Sequence, residues 1–341
     1  MTRPRPGRIA AVLLLAVAMP CRAEGPDPAT GALKPPPIPP GHRFGVALQG
    51  PRYNPFGPLG PNILFDGARD AHGLGFRTLK IAMNALVVNP DWRFYRLTTA
   101  DITEVRTVVD IARLDVFRRT LDLPFQTFVI TADPLGEGNM DTIVAHAEKG
   151  RPRPVDRPLT EAAKANIYRQ IRELSLHLLA TYRGTGKIFI LQSAETDWHI
   201  VPYPDEALEP SDVALANGFD YLRLRQQAVD DARREARAEG VYLYNCVEVN
   251  RVKPGPAGRR TVAGAILPRL DCDLVGYSAW ETAGAADGSF LRAVEYLRRV
   301  ARPSFAFGRN QVIITEIGSV ERRQPDAVHV LRSMIIAATL R

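Results

Sequence analysis

Seven short runs of apolar residues, rich in Val, Ile and Phe, recur along the chain with no polar alternation, at about residues 44–49, 77–83, 125–131, 187–194, 241–249, 274–280 and 311–316. Runs apolar on both faces are those of parallel strands covered on each side. Between them the period changes to three and four. Leu215, Phe219, Leu222, Val229, Ala232 and Ala236 predict a helix from an N-cap at Ser211 to Glu239, with Gly240 as its stop. A second helix is predicted over about Pro158–Thr181 from Ile167, Ile171, Leu174 and Leu178, and a last one over about Pro325–Leu340. Strand followed by helix, seven times, predicts a (β/α) barrel or an open doubly wound sheet. The stretch after the first strand, Leu48-Gln-Gly-Pro-Arg-Tyr53, carries no glycine-rich phosphate fingerprint, so the barrel is the expectation. With the last helix running to Arg341, no sequence remains for an eighth strand, and the reading is an α/β, TIM-type barrel that is truncated.

Two of these strands end in an acid. Glu316 closes Gln311-Val-Ile-Ile-Thr-Glu-Ile-Gly318, and Glu195 follows Lys187-Ile-Phe-Ile-Leu-Gln-Ser-Ala, with Trp198 three residues on. Carboxyl ends of parallel strands are where such barrels keep catalytic groups. Two carboxylates there suit glycosidic cleavage, one protonating the leaving oxygen while the other attacks the anomeric carbon. Trp198 offers a flat apolar face to a sugar ring. Glu248 and Asn250 end the fifth strand, and Glu248 is the alternative acid. Glu281 would bind a hydroxyl or pair with a rim arginine. Gln49 and Asn84 close the first two strands with neutral groups suited to hydroxyl recognition or to capping a loop. Lys80, inside an apolar strand, is expected to pair with an acid in the interior, because an unpaired buried ammonium is costly.

Taken together, Glu195 after the fourth strand and Thr315-Glu-Ile-Gly318 after the seventh resemble clan A of the retaining glycoside hydrolases over about residues 42–341. That resemblance implies a (β/α)8 barrel, with Glu195 as acid/base and Glu316 as nucleophile. It also implies that Tyr277, in Val275-Gly-Tyr-Ser-Ala-Trp280, supports Glu316 through its hydroxyl, while Trp198 or Trp280 walls the pocket. The clan's asparagine before the acid/base is here Ala194, so Gln192 or Asn250 would take over the sugar's 2-hydroxyl. The alternative reading is a non-catalytic glycan-binding or surface protein on a degraded, truncated hydrolase scaffold.

Composition adds an address. Arg3, Arg5 and Arg8 precede the apolar run Ile9–Met19, too short to span a bilayer but right for a signal peptide. Cleavage after Ala23 is expected, and Pro20 argues against a lipid-modified Cys21. The organisation is then a signal peptide over 1–23, a proline-rich linker or tail over 24–41 and the catalytic-type domain over 42–341, secreted or periplasmic. Loss of Arg3, Arg5, Arg8 and Arg22, with no acid among residues 1–23, brings the formal charge from +7 to +3. Nothing then points to nucleic acid. The expected partner is a carbohydrate substrate, with no membrane span after signal cleavage and a monomeric state. Cys246 and Cys272 are placed too far apart along neighbouring strands to bridge. The six histidines show no ligand spacing, so no metal or other cofactor is expected, and no serine sits in a glycine elbow.

Overall fold

The computed structural model describes residues 25–39, 45–47, 63–89, 95, 97–138, 155–282 and 287–317. The signal peptide expected at 1–23, Gln49 and the helix expected at 325–340 lie outside the described residues. Among the described residues, seven strands form one all-parallel sheet in chain order. They are β1 (Gly45–Ala47), β2 (Thr78–Met83), β3 (Thr127–Ala132), β4 (Ile188–Gln192), β5 (Tyr242–Val249), β6 (Leu274–Ser278) and β7 (Val312–Glu316). Helices fill the connections: α1 (Ile63–Gly73), α2 (Ala85–Val88), α3 (Thr99–Ile102), α4 (Val108–Arg113), α5 (Asp115–Asp122), α6 (Glu161–Thr181), α7 (Thr196–His199), α8 (Asp212–Ala236) and α9 (Ser289–Val300).

The sheet curls into a half-barrel. On a flat sheet β2 and β7, five places apart, would lie roughly 24 Å from one another at about 4.8 Å per step. Here the Lys80 ammonium on β2 is 2.9 Å from the Glu316 carboxylate on β7. Helices pack on the convex face in two apolar clusters. One joins Leu79, Ile81, Phe128, Phe189 and Leu191 to α1, α4, α5 and α6. The other joins Val247, Val275, Ile314 and Tyr277 to α8 and α9. The concave face packs on itself: Val129, Ile188, Ile190, Tyr244, Cys246, Leu274 and Ile313 meet with no helix among the described residues. Among those residues the helices lie on one face of the sheet, unlike a doubly wound sheet.

Helix α8 starts as expected, the Ser211 hydroxyl accepting from the Ala214 amide at 3.1 Å. It stops earlier, with Arg237 in the left-handed region at φ 42°. Gly240 is needed elsewhere. It faces Gly184 so closely that a Cβ there would lie 2.8 Å from the Gly184 Cα. Helix α6 likewise begins at Glu161 under a Thr160 cap, inside the range expected from Pro158.

The proline-rich residues 25–39 form no helix or strand, as their composition dictates, yet they are not a free linker. They dock as a strap against the amino-terminal end of the sheet. The Tyr244 hydroxyl donates to the Leu33 carbonyl at 2.6 Å, Arg233 Nε donates to the Thr30 carbonyl at 3.1 Å, and Ile38 packs on the concave cluster. Cys246 and Cys272 are free, buried thiols.

Candidate active site

A β-bulge brings the first acid into place. Strands β6 and β7 pair in step up to Tyr277 opposite Ile314, and then Ser278 falls opposite Glu316, leaving Thr315 as the extra residue. A bulge turns side chains out of strict alternation. Thr315 and Glu316 therefore both reach the concave side, where alternation alone would have sent Glu316 toward the helices. Glu316 Oε1 accepts from the Lys80 ammonium at 2.9 Å. Its Oε2 accepts from the Trp280 indole N–H at 2.9 Å and from the Ser278 hydroxyl at 3.2 Å. The side chain keeps 13% exposure at the carboxyl-terminal rim. Burial would push its carboxyl up, but the Lys80 charge and the three donors outweigh that and hold it below the ordinary carboxylate value.

Lys80 serves a second acid. Its ammonium lies 3.7 Å from Glu248 Oε1, as expected of a lysine that needs an interior partner. Glu248 is 1% exposed. Its Oε1 also accepts from the Gln192 amide at 2.7 Å and the Thr315 hydroxyl at 2.9 Å. Its Oε2 accepts from the Glu195 backbone N–H at 2.8 Å. Burial is the largest influence on Glu248, and with the neighbouring Glu316 and Glu195 charges it outweighs Lys80, pushing the carboxyl up to about 8. One ammonium thus stands between a carboxyl held below its ordinary value and a second one pushed above it.

Glu195 caps α7 with φ 22° and ψ 51°, a left-handed conformation that costs a non-glycine residue of order 1–3 kcal/mol. Its amide is tied to Glu248, and the amide before it, that of Ala194, points at Asp133 Oδ1 at 3.5 Å. Asp133 is fully buried at the end of β3, where the Tyr221 hydroxyl donates to it and Arg225 Nη1 lies at 3.5 Å. Two buried carboxylates on neighbouring strands thus fix the turn that presents Glu195, which stays half-buried at the rim.

The remaining candidates are distributed differently from expectation. Tyr277 does not support Glu316. Its hydroxyl donates to Glu281 at 3.1 Å and contacts the Thr282 hydroxyl at 2.9 Å, because residue 277 faces the helical layer and stacks on Phe290. Ser278 and Trp280 take the place given to Tyr277. Glu281 binds neither an arginine nor open space; it accepts the amides of Val252 at 2.7 Å and Lys253 at 2.9 Å. Asp197 does the same for Asn250 at 2.9 Å and Arg251 at 3.1 Å, so two acids hold four consecutive amides. Asn84 caps α2, accepting from the Leu86 amide at 3.1 Å, and also lies on Asp133, which takes it out of hydroxyl recognition. The Gln192 amide is committed to Glu248, although its Oε1 has no partner among the described residues. Asn250 is buried, and its Oδ1 likewise has none among them. Trp198 stays half-buried on α7 with the Arg251 guanidinium 5.7 Å from its ring centre.

Sequence reasoning missed Ser278 and the roles of Asp133 and Asp197. An acid directly after a buried strand, as Asp133 is, was the one signal that could have found them. A cleft of about 410 Å³ between the strap and α8, lined by Pro28, Leu33, Arg237 and Leu243 among others, lies at the opposite, amino-terminal end of the strands. Among the described residues no group of three or more His, Cys, Asp or Glu is arranged to hold a metal ion, and no helix is long and apolar enough to cross a membrane. The chain matches no protein-family model and no curated protein.

Proposed function

We propose that this protein is an exported glycoside hydrolase of the clan A kind, on a TIM-like (β/α) barrel, cleaving a polysaccharide or oligosaccharide with retention. The observation that carries the reading is the pair of rim carboxylates. Glu316 is kept ionised by Lys80, Trp280 and Ser278, and Glu195 sits at the same rim on a turn fixed by Glu248 and Asp133. In this reading Glu316 attacks the anomeric carbon as Glu195 protonates the leaving oxygen. Glu195 then takes a proton from the water that releases the sugar. Glu248, with both oxygens occupied and 1% exposure, cannot reach a substrate and is left to fix the Glu195 turn and Lys80 behind the pair. In this reading Trp280, which donates to Glu316, and Trp198, three residues after Glu195, supply the apolar walls for the sugar.

A 2-fluoro aryl glycoside tests the assignment directly. It should leave a sugar esterified to the peptide containing Glu316, and Glu316→Ala should regain turnover with azide, giving a glycosyl azide. Labelling elsewhere, or no hydrolysis by the unsubstituted protein across aryl glycosides and polysaccharides, overturns it. Ala194 and the commitment of Gln192 to Glu248 favour a second reading, glycan binding without chemistry. Retained glycan affinity in Glu316→Gln together with no turnover in the parent would establish that instead.

A further inference from the structure

The Lys80 ammonium is 2% exposed and can be neutralised only by what surrounds it. Its surroundings are Glu316 at 2.9 Å and Glu248 at 3.7 Å, with the Thr315 carbonyl at 3.4 Å. Glu248 is faced in turn by Lys80 from β2, by Thr315 and Glu316 from β7, by Gln192 from β4, by Glu195 from the following turn and by Cys246 from its own strand. Of these, only Lys80 brings a positive charge. A buried ammonium without an anion is costly, and so are two buried carboxylates sharing one cation. The cluster therefore has one comfortable charge state, with one carboxylate ionised.

We propose that Lys80 is a shared counter-ion whose charge passes from Glu316 to Glu248 when Glu316 loses its own and Glu195 keeps its proton. With Glu316 ionised, Glu248 keeps its proton. When Glu316 forms an ester bond to the anomeric carbon and the leaving group is a stable anion such as fluoride, that group departs with its bonding pair and Glu195 stays protonated. Glu316 is then neutral, the Glu248 O–H bond breaks, its proton goes to solvent and the new carboxylate faces Lys80. With an alcohol as leaving group Glu195 gives up its proton and becomes the anion beside Glu248 and Lys80, and Glu248 keeps its own. Hydrolysis of the ester restores the Glu316 charge and releases a proton, and Glu248 takes back the one it lost. Lys80 and Glu248 thus act as positioning residues. The use in turnover rests on the hydrolase reading; the coupling between the two glutamates does not.

The coupling can be read without substrate. The protonated-carboxyl infrared band of Glu248, assigned by its loss in Glu248→Gln, should titrate near pH 8 in the unsubstituted protein. In Glu316→Gln, with native folding checked by circular dichroism, the midpoint should fall by about one unit or more. In Lys80→Met it should instead rise. Unchanged midpoints in both variants, or a rise in Glu316→Gln, would overturn the proposal whatever the enzyme assays give. Should fluoroglycosides fail to label Glu316 while these midpoints move, the hydrolase reading falls and the shared counter-ion stands. Should labelling by a glycosyl fluoride succeed, release of roughly half a proton or more per ester formed at pH 7 is expected, and labelling with no proton release would refute the hand-over.

Discussion

At Glu316 burial and hydrogen bonding pull in opposite directions, and the outcome hangs on individual donors. The Trp280 indole gives one of the three bonds, and bonds to a charged acceptor contribute about 1.5–3 kcal/mol. In Trp280→Phe the ring wall is kept and the donor lost, so the Glu316 carboxyl should rise toward its ordinary 4.5. The acid limb of the pH–rate profile should then move up, and an unmoved limb would show that the indole N–H does nothing for Glu316. Stability changes with the same sign. A carboxyl held below its unfolded value stabilises the fold above that value and loses the contribution as pH falls through the folded one, so the variant should lose acid stability at higher pH. Glu316, Glu195 and Lys80 were legible in the sequence, because a charge at the end of or inside an apolar run needs a reason. Tyr277 was misread because the resemblance supplied a role that its orientation, toward the helices, does not permit.

The orientation of Glu316 is decided by the extra residue in β7. Gly276 lies beneath it, and a Cβ there would meet the Thr315 Cγ2 at 2.5 Å and the Cys246 Sγ at 3.0 Å. Gly276→Ala should therefore cost about 1–3 kcal/mol in urea unfolding and displace Glu316 from Lys80. A neutral result would mean that the bulge does not depend on the close approach of the two strands. Helix α8 offers the opposite sign. Its cap Arg237 sits at φ 42°, where glycine is at ease, so Arg237→Gly should raise the unfolding free energy by up to about 1 kcal/mol. The strands were legible to within a few residues, since β-branched runs without alternation have few other uses. The bulge was not, because a run such as Val-Ile-Ile-Thr-Glu fixes apolarity and leaves register to the partner strand. Gly240 misled for a related reason: it looks like a helix stop but serves the turn against Gly184.

At the scale of the molecule, the two ends of the sheet do different work. Chemistry-bearing side chains gather at the carboxyl-terminal rim, while the strap closes the other end through Arg233. That guanidinium reaches the Thr30 carbonyl of the strap at 3.1 Å, the Leu243 carbonyl of β5 at 3.0 Å and Asp273 at 2.9 Å, and also pairs with Asp230. Arg233→Ala leaves Asp273 and Asp230 buried without their cation and should cost about 3–5 kcal/mol, read as a lower urea midpoint. A loss under about 1 kcal/mol would show that the strap and helix are held by something else. The parallel sheet was legible in the sevenfold alternation of strand and helix. The docking of residues 25–39 was not, since prolines carry no period and the groups that hold them, Arg233 and Tyr244, lie some two hundred residues further on.

The four amides of Asn250–Lys253 have no partner in any sheet or helix, yet each is held by Asp197 or Glu281. In heavy water such an irregular stretch should keep its hydrogens as a core strand does, and lose them together when either acid is replaced by its amide. A rim built this way does not breathe. The stretch leading out of β5 is fixed before any ligand arrives, so on the proposed hydrolase reading a sugar entering beside Trp198 would meet a surface already in its final shape.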